Sequence, residues 1–321
     1  MAWKHLFAAL SPAGPRAPLT VLIYHRVLRE KDPLLPYEPD AREFDARMQW
    51  MRRWFNVLSV PEAIHRMRER SLPARALCVT FDDGYADNLD VALPILERHS
   101  IPATFFIATG FLDGGRMFND TVIEAVRRTP RATLDLRDAD LGVFPLGSMA
   151  EKRQTINAIL PKLKRFEPLR REACVQDIAR LSNARLPNDL MLTSYQLRTL
   201  HKRGGTIGAH TRSHPILASV DVETAKREID EGRAELERIV ADRVDLFAYP
   251  NGRPFDDYRA EHVRLVNEAG FSAAFSTSPG AARADGDVLQ LPRFTPWDAT
   301  PGRFALRLAR NLRRSSVVAT T

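Results

Sequence analysis

At 321 residues, 44% hydrophobic and 27% charged, the chain is long enough for one large α/β domain or two small ones, and its composition excludes a disordered polypeptide. No apolar run approaches the ~18 consecutive residues of a membrane-spanning helix. The formal net charge of +7 owes nearly all its excess to arginine. It reads first as arginine spread over solvated faces, with an anionic partner or a membrane surface as the alternative.

In chain order, residues 1–18 form an N-terminal arm. Its apolar stretch Leu6-Phe7-Ala8-Ala9-Leu10 is shorter than the ~7–15 residues of a secretory core, and no convincing cleavage site follows. Cys78 and Cys174 make neither a CxxC pair nor a disulfide framework, so a cytoplasmic protein is expected. Cys78, inside Ala76-Leu77-Cys78-Val79, reads as a small buried hydrophobe. From residue 19 onward, short apolar runs alternate with helix-patterned segments, as in βα units around a mainly parallel sheet. Strands are expected at 19–24, 76–81, 103–108, 206–209, 246–249 and 273–276. Helices are expected at 44–55, 61–70, 89–98, 222–238 and 258–269, the last closed by Gly270.

One stretch breaks the alternation. Almost a hundred residues separate the strands ending near 108 and starting at 206, too many for a simple loop. An insertion at about 112–202, largely helical (155–166 and 172–181, for example), is expected on a connection where barrel enzymes vary substrate recognition. The domain itself spans 19–300. A basic tail, 301–321, follows, with Phe304, Leu308 and Leu312 at helical spacing among arginines. Such a pattern either packs a terminal helix or lies on an anionic membrane surface, here the inner membrane face.

The densest chemical signal is Thr80-Phe81-Asp82-Asp83-Gly84-Tyr85. An apolar strand ends there in two carboxylates and a glycine that permits a sharp turn. Sites of parallel α/β sheets are built at this strand end. Adjacent strand residues point to opposite faces, so both carboxylates reach one site only if a turn begins at the pair. One can then hold a metal while the other stays free as a base. Alone, the motif would read as an Asp-Gly turn capping the next helix. The second motif, Gly208-Ala209-His210-Thr211-Arg212-Ser213-His214-Pro215, adds two histidines four apart just past an apolar strand. They can face one way across a single helical turn. Asp83, His210 and His214 would leave a coordination position open for water, as a catalytic rather than structural zinc needs.

Together with Phe247-Ala248-Tyr249-Pro250-Asn251-Gly252, these motifs resemble the NodB-type polysaccharide deacetylases of carbohydrate esterase family 4. The resemblance runs over about residues 19–297 and is most specific at TFDDG and HxxxH. It implies a distorted (β/α)7 barrel, TIM-barrel-like, carrying the helical insertion. The implied reaction removes N-acetyl groups from a polysaccharide, oligosaccharide or lipid-linked sugar. It further implies Asp82 as general base, and Asp83, His210 and His214 as ligands of one divalent metal ion. Zinc suits two imidazoles and a carboxylate, and cobalt, nickel or iron would fit the same donors.

Two departures stand out. Many members carry an arginine two residues before the Pro-Tyr of their third motif, whereas this chain reads FAYPNG. Tyr249 and Pro250 are expected to line the groove, with the Tyr249 N–H resembling the family's oxyanion donor. Arg293, in Leu291-Pro292-Arg293-Phe294, either supplies the missing cation beside Asp82 or forms a surface ion pair. No Leu-x-x-His motif stands near the C-terminus, and His262 lies in a helix with its ring expected in solvent. His25, ending the strand Val21-Leu22-Ile23-Tyr24, is the expected acid, as in rearranged members with an N-terminal Tyr-His strand; a partly buried histidine bound to a carbonyl is the other reading.

Trp297, Tyr85 and Phe118 are candidates to stack on sugar rings, or to pack in the core. Asn119-Asp120 reads as a helix cap or a substrate contact. Other functions follow from the same residues less directly. A carbohydrate-binding protein on this fold, altered in catalysis, would not need the full Asp-Asp and His-His set. A metal-dependent amidase or esterase on a non-glycan substrate would need it. A nucleic-acid-binding protein is suggested only by the basic balance and lacks any recognition motif, so no nucleic-acid partner is expected. The oligomeric state is not legible.

Overall fold

The computed structural model describes residues 2–314 and 316–320. The chain forms two compact units: Met1–Glu30, Glu38–Leu112 and Leu192–Thr321 make the first, and Lys31–Tyr37 with Asp113–Met191 the second. In chain order, α1 (Ala2–Leu10), β1 (Leu19–Tyr24), α2 (Ala41–Trp54), β2 (Asn56–Val57), α3 (Val60–Arg68) and β3 (Ala76–Phe81) lead to α4 (Leu93–Arg98) and β4 (Ala103–Ile107). The second unit holds α5 (Phe118–Arg128), a hairpin of β5 (Thr133–Leu136) and β6 (Gly142–Pro145), then α6 (Met149–Lys164) and α7 (Pro168–Ser182). The first unit resumes with α8 (Ser194–Lys202), β7 (Thr206–Ala209), α9 (Val222–Val240), β8 (Leu246–Ala248), α10 (Ala260–Glu268), β9 (Ala273–Phe275) and α11 (Pro301–Asn311).

The first unit is the barrel. Among the described residues its parallel sheet runs β1-β3-β4-β7-β8-β9, with the short β2 also paired to β3. The strands Leu19–Tyr24 and Ala76–Phe81 are buried throughout, as expected where helices cover the outer face and side chains fill the inner one. Residues 291–294 close the ring between β9 and β1. Ser276 N–H donates to the Leu291 carbonyl, and Phe294 exchanges hydrogen bonds with Val21 and Ile23. That segment is too short and proline-broken to read as a strand, yet it brings Arg293 into the barrel.

Two expectations on organisation change. The insertion is not only helical, because it carries the β5–β6 hairpin and a core of its own around Val122, Val126, Ile159 and Ile178. It also ends earlier than 202. Helix α8 packs Leu197 and Leu200 into the barrel core, so it belongs to the first unit. The basic tail is structural as well. Phe304, Leu308 and Leu312 of the α11 region are buried, and Phe304 sits 5.9 Å from Trp50 and 6.1 Å from Phe294 between ring centroids. An apolar stripe consumed by the core cannot also dip into a bilayer. Among the described residues no helix is long and apolar enough to cross a membrane. Both cysteines are free and buried.

Candidate active site

The site is built at the C-terminal ends of the barrel strands, beginning with β3. Asp82 continues that strand and its N–H donates to the Tyr24 carbonyl at 2.9 Å. Asp83 then takes a left-handed backbone with φ 77°, and Gly84 follows at φ 93°. This is the turn that two adjacent carboxylates require in order to converge. Strain at a non-glycine residue persists only where its surroundings over-determine it.

The histidine pair is presented differently from the expected helical turn. Residues 210–214 form an irregular loop with Thr211 at φ 62° and His214 at φ 55°. Side chains, rather than a helix, hold its shape. Thr211 Oγ1 accepts from the His214 N–H at 3.1 Å. Glu228 of α9 accepts from the N–H groups of Arg212 (2.9 Å) and Ser213 (2.7 Å) and from the Ser213 hydroxyl (2.6 Å). Gly232, one turn along α9, lets the loop rest on the helix, since a Cβ there would stand 2.7 Å from the Thr211 carbonyl carbon. Neither Glu228 nor Gly232 carries any sequence signal marking it as part of a site.

The loop and the turn meet. His210 and His214 lie with ring centroids 4.8 Å apart, and each Nε2 is 3.5 Å from Asp83 Oδ1. The three potential donor atoms all fall within 4.8 Å of one another. His210 Nδ1 lies 2.7 Å from the Ala248 carbonyl, which can only accept. The proton is therefore on Nδ1, and Nε2 keeps its lone pair toward Asp83. Asp83 Oδ1 is buried without a hydrogen-bond partner. Burial pulls the His214 pKa down to about 4, outweighing the pull of Asp83 in the other direction. For Asp83 burial acts upward, but His210 and the neighbouring His214 and His25 hold it well below the ordinary carboxylate range. An ionised carboxylate with an orphaned oxygen facing a neutral imidazole and a lone-pair-bearing nitrogen fits a divalent cation, and these residues form a possible metal site.

Asp82 has a different partner. Arg293, fully buried, pairs with it through both oxygens, Nη1 to Oδ1 at 2.6 Å and Nη2 to Oδ2 at 2.8 Å. Of the two readings of Arg293, the surface ion pair is excluded. Burial raises the Asp82 pKa, but Arg293 and then His210 outweigh it, leaving the carboxyl below its ordinary value. Asp82 Oδ2 also lies 3.8 Å from His210 Nε2, beside the possible metal site.

His25 stands at the same end of the neighbouring strand. Tyr24 is in register with Phe81, which sets His25 beside Asp82. Its carbonyl accepts from Asn88 Nδ2 at 2.9 Å, and Arg26 pairs with Asp87 at 2.8 Å, anchoring the chain after β1. Burial lowers the His25 pKa, while the charges of Asp83, Asp82 and Glu38 more than reverse this, so it lies above the ordinary value.

Other expected residues are elsewhere. Tyr249 is buried, stacks on Tyr258 at 3.9 Å, and gives its hydroxyl to the Leu289 carbonyl. Its N–H donates to the Phe275 carbonyl at 3.0 Å in the sheet ladder, so it is not available as an oxyanion donor. Pro250 is buried, has no N–H, and its carbonyl accepts from Gly252. Trp297 is 63% exposed, with the Arg307 guanidinium 5.2 Å from its ring. Tyr85 is buried under Arg26, Phe118 belongs to the second unit, and Asp120 is buried there. His262 is buried rather than in solvent, because its Nδ1 accepts the Arg259 N–H at the start of α10.

Comparison with known proteins agrees with this geometry. A family model described as polysaccharide deacetylase matches residues 69–274. YxkH of Bacillus subtilis (strain 168) is 20% identical over 279 residues, 86% of this chain and 71% of its own length. A poly-beta-1,6-N-acetyl-D-glucosamine N-deacetylase of Staphylococcus epidermidis is 30% identical over 112 residues, which span 30% of this chain and 38% of that protein. Among solved structures, the Streptococcus pyogenes deacetylase PplD in complex with acetate superposes with a TM-score of 0.62 at 18% identity, covering 93% of this chain and all of that one. At that identity the likeness shows the barrel fold alone. The family match takes in both the Asp82-Asp83 turn and the histidine loop, and with it the chain belongs to the NodB-type polysaccharide deacetylases of carbohydrate esterase family 4.

Proposed function

We propose that the protein hydrolyses the N-acetyl group of an N-acetylated glycan or sugar, using one divalent metal ion held by Asp83, His210 and His214. The observation that carries this is the division of labour between adjacent carboxylates. Asp83 turns its orphaned oxygen to the two imidazoles, while both oxygens of Asp82 are gripped by Arg293. A bound divalent ion would polarise the amide carbonyl and make a coordinated water acidic enough to lose a proton near neutral pH.

The chain's own residues supply the proton transfers. Asp82, kept ionised by Arg293, accepts a proton from the attacking water. Its grip by a rigid guanidinium fixes the carboxylate's direction, which general-base catalysis rewards. His25 is the donor to the departing amine. The carboxylates around it favour its protonated form, the form an acid must have before it acts. Neither Tyr249 nor Pro250 contributes an oxyanion donor in this scheme. Zinc is the first choice for the donor set.

The test is acetate release from a panel of N-acetylated oligosaccharides and lipid-linked sugars, before and after chelation. Release that chelation abolishes and zinc restores is the expected result. A panel hydrolysed equally well by metal-free protein would overturn the reading.

A further inference from the structure

At the same barrel end, a second concavity of about 480 Å³ is lined by Arg253, Arg293, Arg307, Arg310 and Arg314, with Trp297 in its wall. The volume lies in the range of small-molecule pockets, roughly 300–1,000 Å³. Separate elements bring these arginines together. Arg253 follows β8 after the Pro250-Asn251-Gly252 turn, Arg293 sits on the closing segment, Arg307 and Arg310 are one turn apart on α11, and Arg314 lies just beyond that helix. Arg293 joins the two sites, since its guanidinium grips Asp82 while the residue lines this wall.

Three of the five charges here have no ion-pair partner among the described residues. No carboxylate side chain lines the concavity among the described residues. Arg293 is paired with Asp82 and Arg307 with Asp298 at 3.2 Å, but Arg253, Arg310 and Arg314 are exposed and make no ion pair among the described residues. Like charges one helical turn apart repel, and the three unpaired guanidinium groups around this hollow favour an anion within it. A merely arginine-rich surface does not account for this. The hollow lined by Arg283 and Arg314 also contains Asp285 and Asp287, and the one lined by Arg68 and Arg243 contains Asp242 and Asp245. This hollow alone of the three has arginine without acid.

We propose that it binds a phosphate or diphosphate group carried by the N-acetylated sugar, so that the substrate is a phosphorylated sugar rather than a neutral polymer. The proposal rests on the deacetylase reading for the identity of the reaction, and on the arginines for the identity of the anion. Guanidinium forks match phosphate oxygens two at a time, and three unpaired cations suit a multiply charged phosphate better than a single carboxylate. Arg307 lies 4.7 Å from the Phe294 ring and 5.2 Å from that of Trp297, which braces the indole and leaves it exposed for the apolar face of a sugar. The phosphate is linked either to a lipid or to a nucleotide, and both present the same anion to the arginines.

Two measurements on the full chain decide it. The first is calorimetric titration with inorganic pyrophosphate, which does not depend on turnover. Binding should weaken steeply with salt and fall about tenfold or more in Arg310→Glu/Arg314→Glu. Arg253→Glu, on a different loop, should do the same, while Arg66→Glu on α3 should not. The second is acetate release from N-acetylglucosamine 1-phosphate against methyl N-acetylglucosaminide. The kcat/KM ratio should favour the phosphate by about tenfold or more and drop toward unity in the pocket variants. UDP-N-acetylglucosamine and polyprenyl diphosphate N-acetylglucosamine then separate the nucleotide from the lipid source, and preference for either supports the proposal. No pyrophosphate binding with equal turnover of neutral and phosphorylated sugars overturns it and leaves the deacetylase reading standing. Pyrophosphate binding without acetate release from any sugar overturns the deacetylase reading, and with it the assignment of the anion to a deacetylation substrate.

Discussion

Arg293 and Asp82, 211 positions apart, face each other inside the barrel as a fully buried two-pronged ion pair at 2.6 and 2.8 Å. The pair exists because residues 291–294 close the sheet between β9 and β1, which places Arg293 across from the end of β3. A buried pair adds little net stability, since desolvating both ions offsets their attraction, but removing one partner strands the other.

Arg293→Met should therefore cost about 3–5 kcal/mol in urea unfolding at neutral pH. The sign of the pH effect follows from the lowered Asp82 pKa. Stability from the pair is present above the ordinary carboxylate pKa and is lost as pH falls through the depressed folded value. In Arg293→Met the acid limb of the activity profile should move to higher pH. An unmoved limb would show that Arg293 does not set the ionisation of Asp82.

Asp82→Asn should keep its metal and lose about 10²–10⁴-fold in kcat, because an amide cannot take a proton from water. Metal content by elemental analysis and turnover are read on the same sample. Joint loss of metal and activity would make Asp82 a ligand.

His214→Ala and Asp83→Asn should each lose both metal and turnover. Because burial lowers His214 to about 4, protons compete weakly for this ligand. Metal occupancy should persist as pH is lowered through the ordinary imidazole range near 6.5 and decline only below it. Release centred near 6.5 would contradict the burial argument.

His25→Ala should lower kcat by about 10²–10⁴-fold with metal content intact. The acid must be protonated, so activity is lost as pH rises through the His25 pKa, which lies above the ordinary value. Glu38→Gln removes one of the charges holding it there, and the basic limb should shift to lower pH. Near-normal turnover in His25→Ala would send the search for the acid to another group.

Glu228→Ala removes three hydrogen bonds that shape the histidine loop without touching the donor atoms. Metal affinity should fall about 10–100-fold, as for other groups that orient ligands from behind. Titration with a competing chelator measures it, and unchanged affinity would show that Thr211 and the packing on Gly232 suffice.

How much of this was legible depended on whether the information was local. The strands 19–24, 76–81 and 206–209 coincide with the observed ones, because each is a short apolar run bounded by turn residues. Asp82, Asp83, His210 and His214 stand out because each motif compresses its chemistry into five residues after such a run. Arg293 was visible only as one of two readings, since an isolated arginine says nothing of what it faces. Tyr249 was misplaced for a related reason: its N–H belongs to the ladder with Phe275, and strand pairing is not written in a single strand's own residues.

The sequence by itself determined the α/β alternation, the carboxylate turn and the histidine pair, all of which follow from spacing within a few residues. Only the tertiary structure decided that residues 291–294 close the barrel, that Glu228 shapes the histidine loop and that five arginines line one hollow. These relationships join residues far apart in the chain. Burial, desolvation and like-charge repulsion act on whatever the fold makes neighbours, and neighbourhood at that range exists only once the chain is folded.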